Sequence, residues 1–450
     1  MKFRLRIDPL AGVALALLAA ACADDPPPAP TPDQLKAQAL AATPAALAAA
    51  SNTTLGKRLA GKSDPVVAGE QLNLDRLQRF YAHHNFEPVW TTRKGKADAL
   101  TDAVLSAGDQ GLDPSLFHGN MLVASTVLPP VERDLLLTDA YLAYADALAR
   151  GALPVERRSS DEVLTPGPVD VTAALDKALD SSDPAAKIEA LAPATPTYRA
   201  LRQALKDNPA PARRHTIEVN LERERWLPRK LPAERVWVNV ADQRLTMYSN
   251  DQPALSMKVI VGMTGKGNQS PEMQVPIDAI WFNPPWSIPA DITANEIMPH
   301  VRDEPDYLEK HGLTLLPDGI LQQKAGPYSA LGVLMFDMNN KFDVYLHDTP
   351  SKQYFARDDR HISHGCIRIE NPRDLAALVM GQPRVAIDEK IATGNTTRTP
   401  VPKPVPVFVV YETAFADPDG KLQFRPDAYG RDAEIWQALN PKGRTVVAAR

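Results

Sequence analysis

Residues 361 to 368 read HISHGCIR, and Cys366 in this string is one of only two cysteines in 450 residues. A thiol is a nucleophile only as its thiolate, so a reactive cysteine needs a base or a positive charge beside it. Three histidines are candidates: His364 two residues before the cysteine, His361 five before, and His347 at the end of the strand-like DVYLH. Gly365, directly before the cysteine, permits a tight turn that aims backbone N–H groups at a developing oxyanion. A strand end at His347 facing a loop at Cys366 would make a base–nucleophile pair. The competing reading is a buried, inert cysteine among surface histidines. Residue types alone leave both readings open.

The other cysteine, Cys22, ends the apolar run LAGVALALLAAAC, which starts at Leu10 behind the basic residues Lys2, Arg4 and Arg6. That run is short for a bilayer span and suits the apolar core of a secretory signal, residues 1–23. Cleavage before Cys22 would leave a cysteine for lipidation, and cleavage after Ala23 would remove it. The lipoprotein reading is preferred because the cysteine falls at the cleavage point. The chain is therefore expected in the periplasm, anchored to a membrane, the outer one included. Cys366 then has no cysteine with which to form a structural disulfide.

Around these residues the chain divides by composition and period. Residues 24–65 are rich in Ala and Pro, carry few large apolar groups and read as a disordered tether. From 66 to 233 the apolar period is helical, as in ERDLLLTDAYLAYADALARG, and the aromatic positions read as core. From 234 to 393 the pattern turns to short β-like runs: ERVWVNV, SMKVIVG, MQVPIDAIWF and FDVYLHD. Within this region, residues of about 287–328 look helical again and read as a lid insertion. Residues 394–450 read as an extended segment followed by a hairpin over DPDG, packing on the β-rich domain. The expected fold is α+β and multidomain. The net charge of −5 gives no reason to expect a nucleic acid. No H-E-x-x-H or phosphate-loop spacing is present, so neither metal nor cofactor is called for.

The string HDTPSKQYFARDDRHISHGCIR resembles the signature of the YkuD-type L,D-transpeptidases. FNPPWSIPADI, ALG, SHGCIRIENPRDLA and the closing VYETAFADPDGKLQFRPDAYGRD look like the large YcbB-type branch, as do FYAHHNFEPVW, GLDPSLFH and IEVNLERERWLP in the helical part. The resemblance implies a murein L,D-transpeptidase. Cys366 would attack the third residue of a peptidoglycan tetrapeptide stem and release D-alanine, and an amine of a second stem would resolve the thioester as a 3→3 cross-link. It implies His347 as base, oriented by a backbone carbonyl such as that of Asp348, with the N–H groups of Gly365 and Cys366 as oxyanion hole. His364 joins the catalytic set and lines the substrate site with Arg368. Ser363, Asp348, Trp286 and Tyr345 complete the expected substrate side, and His361 is read as a surface residue. Carbapenems are the expected inhibitors. The expected partners are tetrapeptide stems as donor and acceptor, the membrane through a lipid on Cys22, and cell-wall synthesis proteins.

Two departures stand out. Arg368 occupies a place where many of these proteins carry Asn. Only KDNPAPARRH joins the YRALRQAL and NLERERW regions, where relatives usually insert a small wall-binding module. Three other readings compete: a hydrolase using the same thioester, an inactive tethered wall-binding protein, and a Cys-His-Asn thiol protease. An intact set of His347, Ser363, His364, Gly365 and Cys366 argues against the binding protein, and the flanking motifs of the thiol protease are missing.

Overall fold

The computed structural model describes residues 53–265, 267–326 and 328–440. The expected signal segment, Cys22 and most of the expected tether lie outside them. Among the described residues no helix is long and apolar enough to cross a membrane.

The helical part begins earlier than composition suggests. Helix α1 (Thr54–Leu59) is capped by Thr53, whose Oγ1 accepts from the Gly56 N–H at 2.8 Å, and it buries Leu55 and Leu59. Residues 53–65 therefore belong to the scaffold, which corrects the expected tether boundary. Two leucines in six residues suffice because they plug an existing core, each worth ~1.5–3 kcal/mol when fully buried. That core forms around α3 (Pro130–Arg150), against which α2 (Leu74–His83) packs. Asp134 of α3 is buried and accepts from the N–H groups of Val89 and Trp90, both at 2.9 Å, and from the Tyr81 hydroxyl at 2.6 Å. The Trp90 indole donates to Thr138 at 2.8 Å. The aromatic string FYAHHNFEPVW is thus a core element tied to α3, as its helical spacing suggests. Helices α4 (Pro196–Lys206) and α5 (Pro211–Arg225) close the scaffold, joined by a turn over 207–210.

The β-rich part is one sheet of nine strands: β1 (Arg235–Asn239), β2 (Arg244–Ser249), β3 (Gln252–Gly262), β4 (Met273–Phe282), β5 (Leu334–Asp337), β6 (Leu346–His347), β7 (His361–Ser363), β8 (Ile367–Ile369) and β9 (Thr397–Val410). Their order is β7-β3-β8-β6-β5-β4-β9-β1-β2, and β3 also pairs with β2, so the sheet closes on itself. Inside lie Val236, Val238, Val259, Val261, Ile280, Leu346, Ile367 and Ile369.

Strand β9 differs from expectation. The stretch read as an extended segment outside the domain runs between β4 and β1, inside the sheet. Prolines deny a central strand its N–H donors, which argues against such a placement. Here the pairing with β4 shifts register between Pro400 and Val405, so the Pro-rich part crosses the sheet as an irregularity. Beyond it, Val407 and Val409 face the sheet interior, while Phe408 and Val410 enter the scaffold core. The two-residue period of one strand therefore joins both cores. The hairpin over DPDG follows as Ala414–Ala416 paired with Leu422–Phe424. Between β4 and β5 a small lid is built from Trp286–Ser287, Leu321–Gln323 and Leu313–Leu315 as strands, with short helical turns over residues 290–310.

Candidate active site

Strands β6 and β8 run parallel, with Leu346 opposite Ile367 and His347 opposite Arg368. Leu346 and Ile367 face the sheet interior. Alternation therefore puts Tyr345, His347, Cys366 and Arg368 together on the opposite face. Residues separated by 21 positions in sequence thus share one surface, with Cys366 one step before β8 and level with Tyr345. The Ile367 N–H donates to the Tyr345 carbonyl at 2.9 Å and locks this register.

His347 is buried, and its Nδ1 lies 2.6 Å from the Asp348 carbonyl. A carbonyl only accepts, so Nδ1 carries the proton and Nε2 keeps its lone pair. Burial, and then the positive charge of Arg368, hold its pKa down at about 4 despite the hydrogen bond to Asp348. The ring is neutral at pH 7. The Asp348 carboxylate, in contrast, is turned inward: Oδ2 accepts from the Val333 N–H at 3.0 Å and Oδ1 lies 2.7 Å from Lys352 Nζ. Asp348 is placed as a positioning residue, a correction to its expected place on the substrate side. It fits because Gly332 has no side chain. A Cβ there would come within 2.4 Å of Oδ2, and Gly332 sits at φ +62°, where only glycine is at ease. This is the physical content of the ALG string.

Cys366 is partly exposed. Its Sγ–H points to the Asp343 carbonyl at 3.8 Å, and among the described residues no hydrogen bond joins it to His347. Burial pushes the thiol up, against the lowering effect of the Tyr345 N–H and the Arg368 charge. The resting pair is therefore thiol and neutral imidazole, not thiolate and imidazolium. Arg368 makes no ion pair among the described residues, its Nε is buried without a partner, and burial lowers its pKa. A guanidinium held beside the nucleophile with unused donors is a ready receptor for a carboxylate.

The turn that carries Cys366 is internally bonded. Ser363 is buried; its Oγ donates to the Cys366 carbonyl at 2.6 Å and accepts from the Gly365 N–H at 3.2 Å. Ser363 thus shapes the loop and is closed to a substrate. The Gly365 N–H is already engaged, which corrects its expected part in the oxyanion hole. The N–H groups of His364 and Cys366 make no hydrogen bond among the described residues and are the open donors. Gly365 lies at φ +107°, a conformation that favours glycine, and its carbonyl accepts from Ser270 Oγ at 2.7 Å. Ser270 is fixed in turn by Tyr429, whose Oη accepts from the Ser270 N–H at 3.2 Å and donates to the Gly262 carbonyl at 2.7 Å. Sequence reasoning missed Ser270 and Tyr429. Tyr429 lies in the closing string that resembles the YcbB-type branch, but its meeting with Ser270 is a matter of tertiary structure.

The remaining expected residues are placed differently. His364 is exposed, and its Nε2 lies 2.6 Å from Glu296 Oε1 of the lid, with no bond to Cys366 or His347. Trp286 packs in the lid's apolar cluster with Ile288, Ile297 and Leu321. His361 is no free surface residue: its side chain is 6% exposed and bonds Asp359 at 2.6 Å and Gln243 at 3.1 Å. Among the described residues no cluster of His, Cys, Asp and Glu could hold a metal.

Residues 233–407 match the model of an L,D-transpeptidase catalytic domain of the YkuD type, and residues 75–205 match that of a scaffold domain. The chain is 26% identical over 389 residues to a Haemophilus influenzae protein named "Putative L,D-transpeptidase", a match covering 80% of this chain and 78% of that protein. Among solved structures, the catalytic domain of the E. faecium L,D-transpeptidase acylated by ertapenem is 13% identical, with 40% of this chain and 99% of that chain covered at a TM-score of 0.22. An L,D-transpeptidase from Mycobacterium smegmatis is 13% identical, with 40% and 58% covered at a TM-score of 0.21.

Proposed function

Because this chain carries a YkuD-type L,D-transpeptidase catalytic domain behind a scaffold domain, we propose that it forms 3→3 cross-links in peptidoglycan through a thioester on Cys366. The observation that carries this reading is the shared face of Cys366, His347 and Arg368, with His347 held as its Nδ1–H tautomer. His347 Nε2 takes the thiol proton as Sγ attacks the carbonyl of the stem's third residue. The oxyanion is met by the N–H groups of Cys366 and His364. The tetrahedral carbon then expels the amine of D-alanine, which takes the proton back from His347, and the thioester remains. The side-chain amine of a second stem attacks that thioester, loses a proton to His347 and regenerates the thiol. Arg368 receives a stem carboxylate beside the reacting centre. Acylation by carbapenems follows from the same nucleophile. We place the protein in the periplasm, held at the membrane by a lipid on Cys22, on the strength of its basic and apolar start.

The test is product analysis. The chain is incubated with disaccharide-tetrapeptide, beside a Cys366→Ala control, and the products are resolved by mass spectrometry. A cross-linked dimer that the control fails to make supports the proposal. Free tripeptide without dimer replaces it with the hydrolase reading.

A further inference from the structure

A cavity of about 750 Å³ lies between the scaffold, the strands β1 and β2, and the C-terminal hairpin, and Cys366 is not among its lining residues. This is within the ~300–1,000 Å³ of small-molecule sites. Nothing in the chemistry above uses it. Its floor is Glu224 and Glu412, 3% and 5% exposed, and Thr195 Oγ1 donates to Glu224. Burial holds Glu224 above the ordinary carboxylate range. Burial and then mutual repulsion raise Glu412 well above the carboxylate range.

The walls carry three half-buried aromatic rings, Trp237, Tyr248 and Phe415. Arg235 lies over Tyr248 at 4.2 Å and Arg425 over Phe415 at 5.4 Å. Each of these arginines is already neutralised, Arg235 by Asp251 at 2.6 Å and Arg425 by Asp242 at 2.5 Å. Arg244, on the exposed rim, bonds Ser256 Oγ at 3.2 Å, and an anion at the floor would meet the two buried glutamates. Flat aromatic rings alternating with fixed donors and acceptors suit a ring that has C–H faces and a hydroxyl edge.

The geometry points to this cavity as a binding site for an uncharged pyranose oligosaccharide, such as a glycan backbone, which stacks on Trp237, Tyr248 and Phe415 and hydrogen-bonds to Glu224 and Glu412. The biological ligand rests on the wall-acting reading above, and the site would give a grip on the glycan to a chain with only a short turn between α4 and α5.

The test is isothermal titration of the full chain with the tetramers of N-acetylglucosamine and of glucose. Saturable binding of at least one is expected. It should be about tenfold weaker for Phe415→Ala, the worth of one stacking contact. Binding should weaken at least as much for Ser256→Trp, a substitution at an exposed rim position that fills the cleft without disturbing a core. Alkylation of Cys366 should be unchanged in both. If Phe415→Ala does not fold, Ser256→Trp carries the test. Saturation by neither tetramer overturns the proposal, and so does binding that Ser256→Trp leaves intact. Failure to make a cross-link while tetramer binding persists would sink the transpeptidase reading and leave this site standing.

Discussion

The resting state of the nucleophile can be tested by its reactivity towards a small alkylating agent as pH is varied. A histidine with a pKa of about 4 carries a second ring proton, as imidazolium, in about one molecule in a thousand at pH 7. An ordinary thiol, with a pKa of ~8.5, is about 3% thiolate at that pH. Burial pushes Cys366 higher still, so its thiolate fraction is smaller. Iodoacetamide alkylation at pH 7 should therefore run at less than about a thirtieth of its high-pH plateau. The rate should rise about tenfold per pH unit, with no inflection between 5 and 8. Cys366 is the only cysteine beyond position 22, so mapping the label is simple. Acylation by a carbapenem needs proton transfer in the step itself and behaves differently. His347→Gln should slow it by ~10²–10⁴-fold, the usual worth of a general base. The same substitution should change the alkylation plateau little. Arg368→Gln removes the charge that favours thiolate and opposes imidazolium. It should slow alkylation at pH 8 and move the His347 titration upward. A flat alkylation rate from pH 6 to 8, with one inflection near 5, would reveal a standing thiolate–imidazolium pair and refute this reasoning.

Other outcomes follow from the supporting shell. Gly332→Ala drives a methyl into the Asp348 carboxylate and strains a positive φ, so thermal unfolding should report a loss of at least ~2 kcal/mol, with acylation slowed as Asp348 shifts under His347. Ser363→Ala removes two hydrogen bonds from the Cys366 turn and should cost ~1–3 kcal/mol by chemical denaturation. His118 is held by Asp139 and Glu70, each at 2.9 Å; burial opposes its charged form, but the two acids prevail and raise its pKa. A raised folded pKa stabilises fully below the unfolded value of ~6.5 and fades as pH climbs through the folded value. The Tm gap between wild type and His118→Gln should therefore be widest near pH 5.5 and shrink towards pH 9.

Chemistry was legible where it lay in a contiguous string. HISHGCIR and the strand-like DVYLH pointed to the face that Cys366 and His347 share, because a short turn and a strand end impose their geometry locally. The supports were not legible. Asp348 fits only because Gly332 leaves space for it, and Ser270 reaches Gly365 only because Tyr429, from the last helix's approach, holds it there. The two contacts of Ser270 cross 95 and 159 positions of sequence. The scaffold's helices were legible from their apolar period. Helix α1 was not, because its short run is embedded in Ala- and Pro-rich chain. Strand β9 was hidden by its prolines, which a sheet tolerates here only through the register shift opposite β4.

The most direct test of the central claim is the intact mass of the protein during turnover. With a tetrapeptide stem and no acceptor amine, the account predicts an adduct equal to the stem minus D-alanine, mapped to Cys366 and absent from Cys366→Ala. Release of D-alanine without any adduct on Cys366, or an adduct that persists in Cys366→Ala, would contradict it.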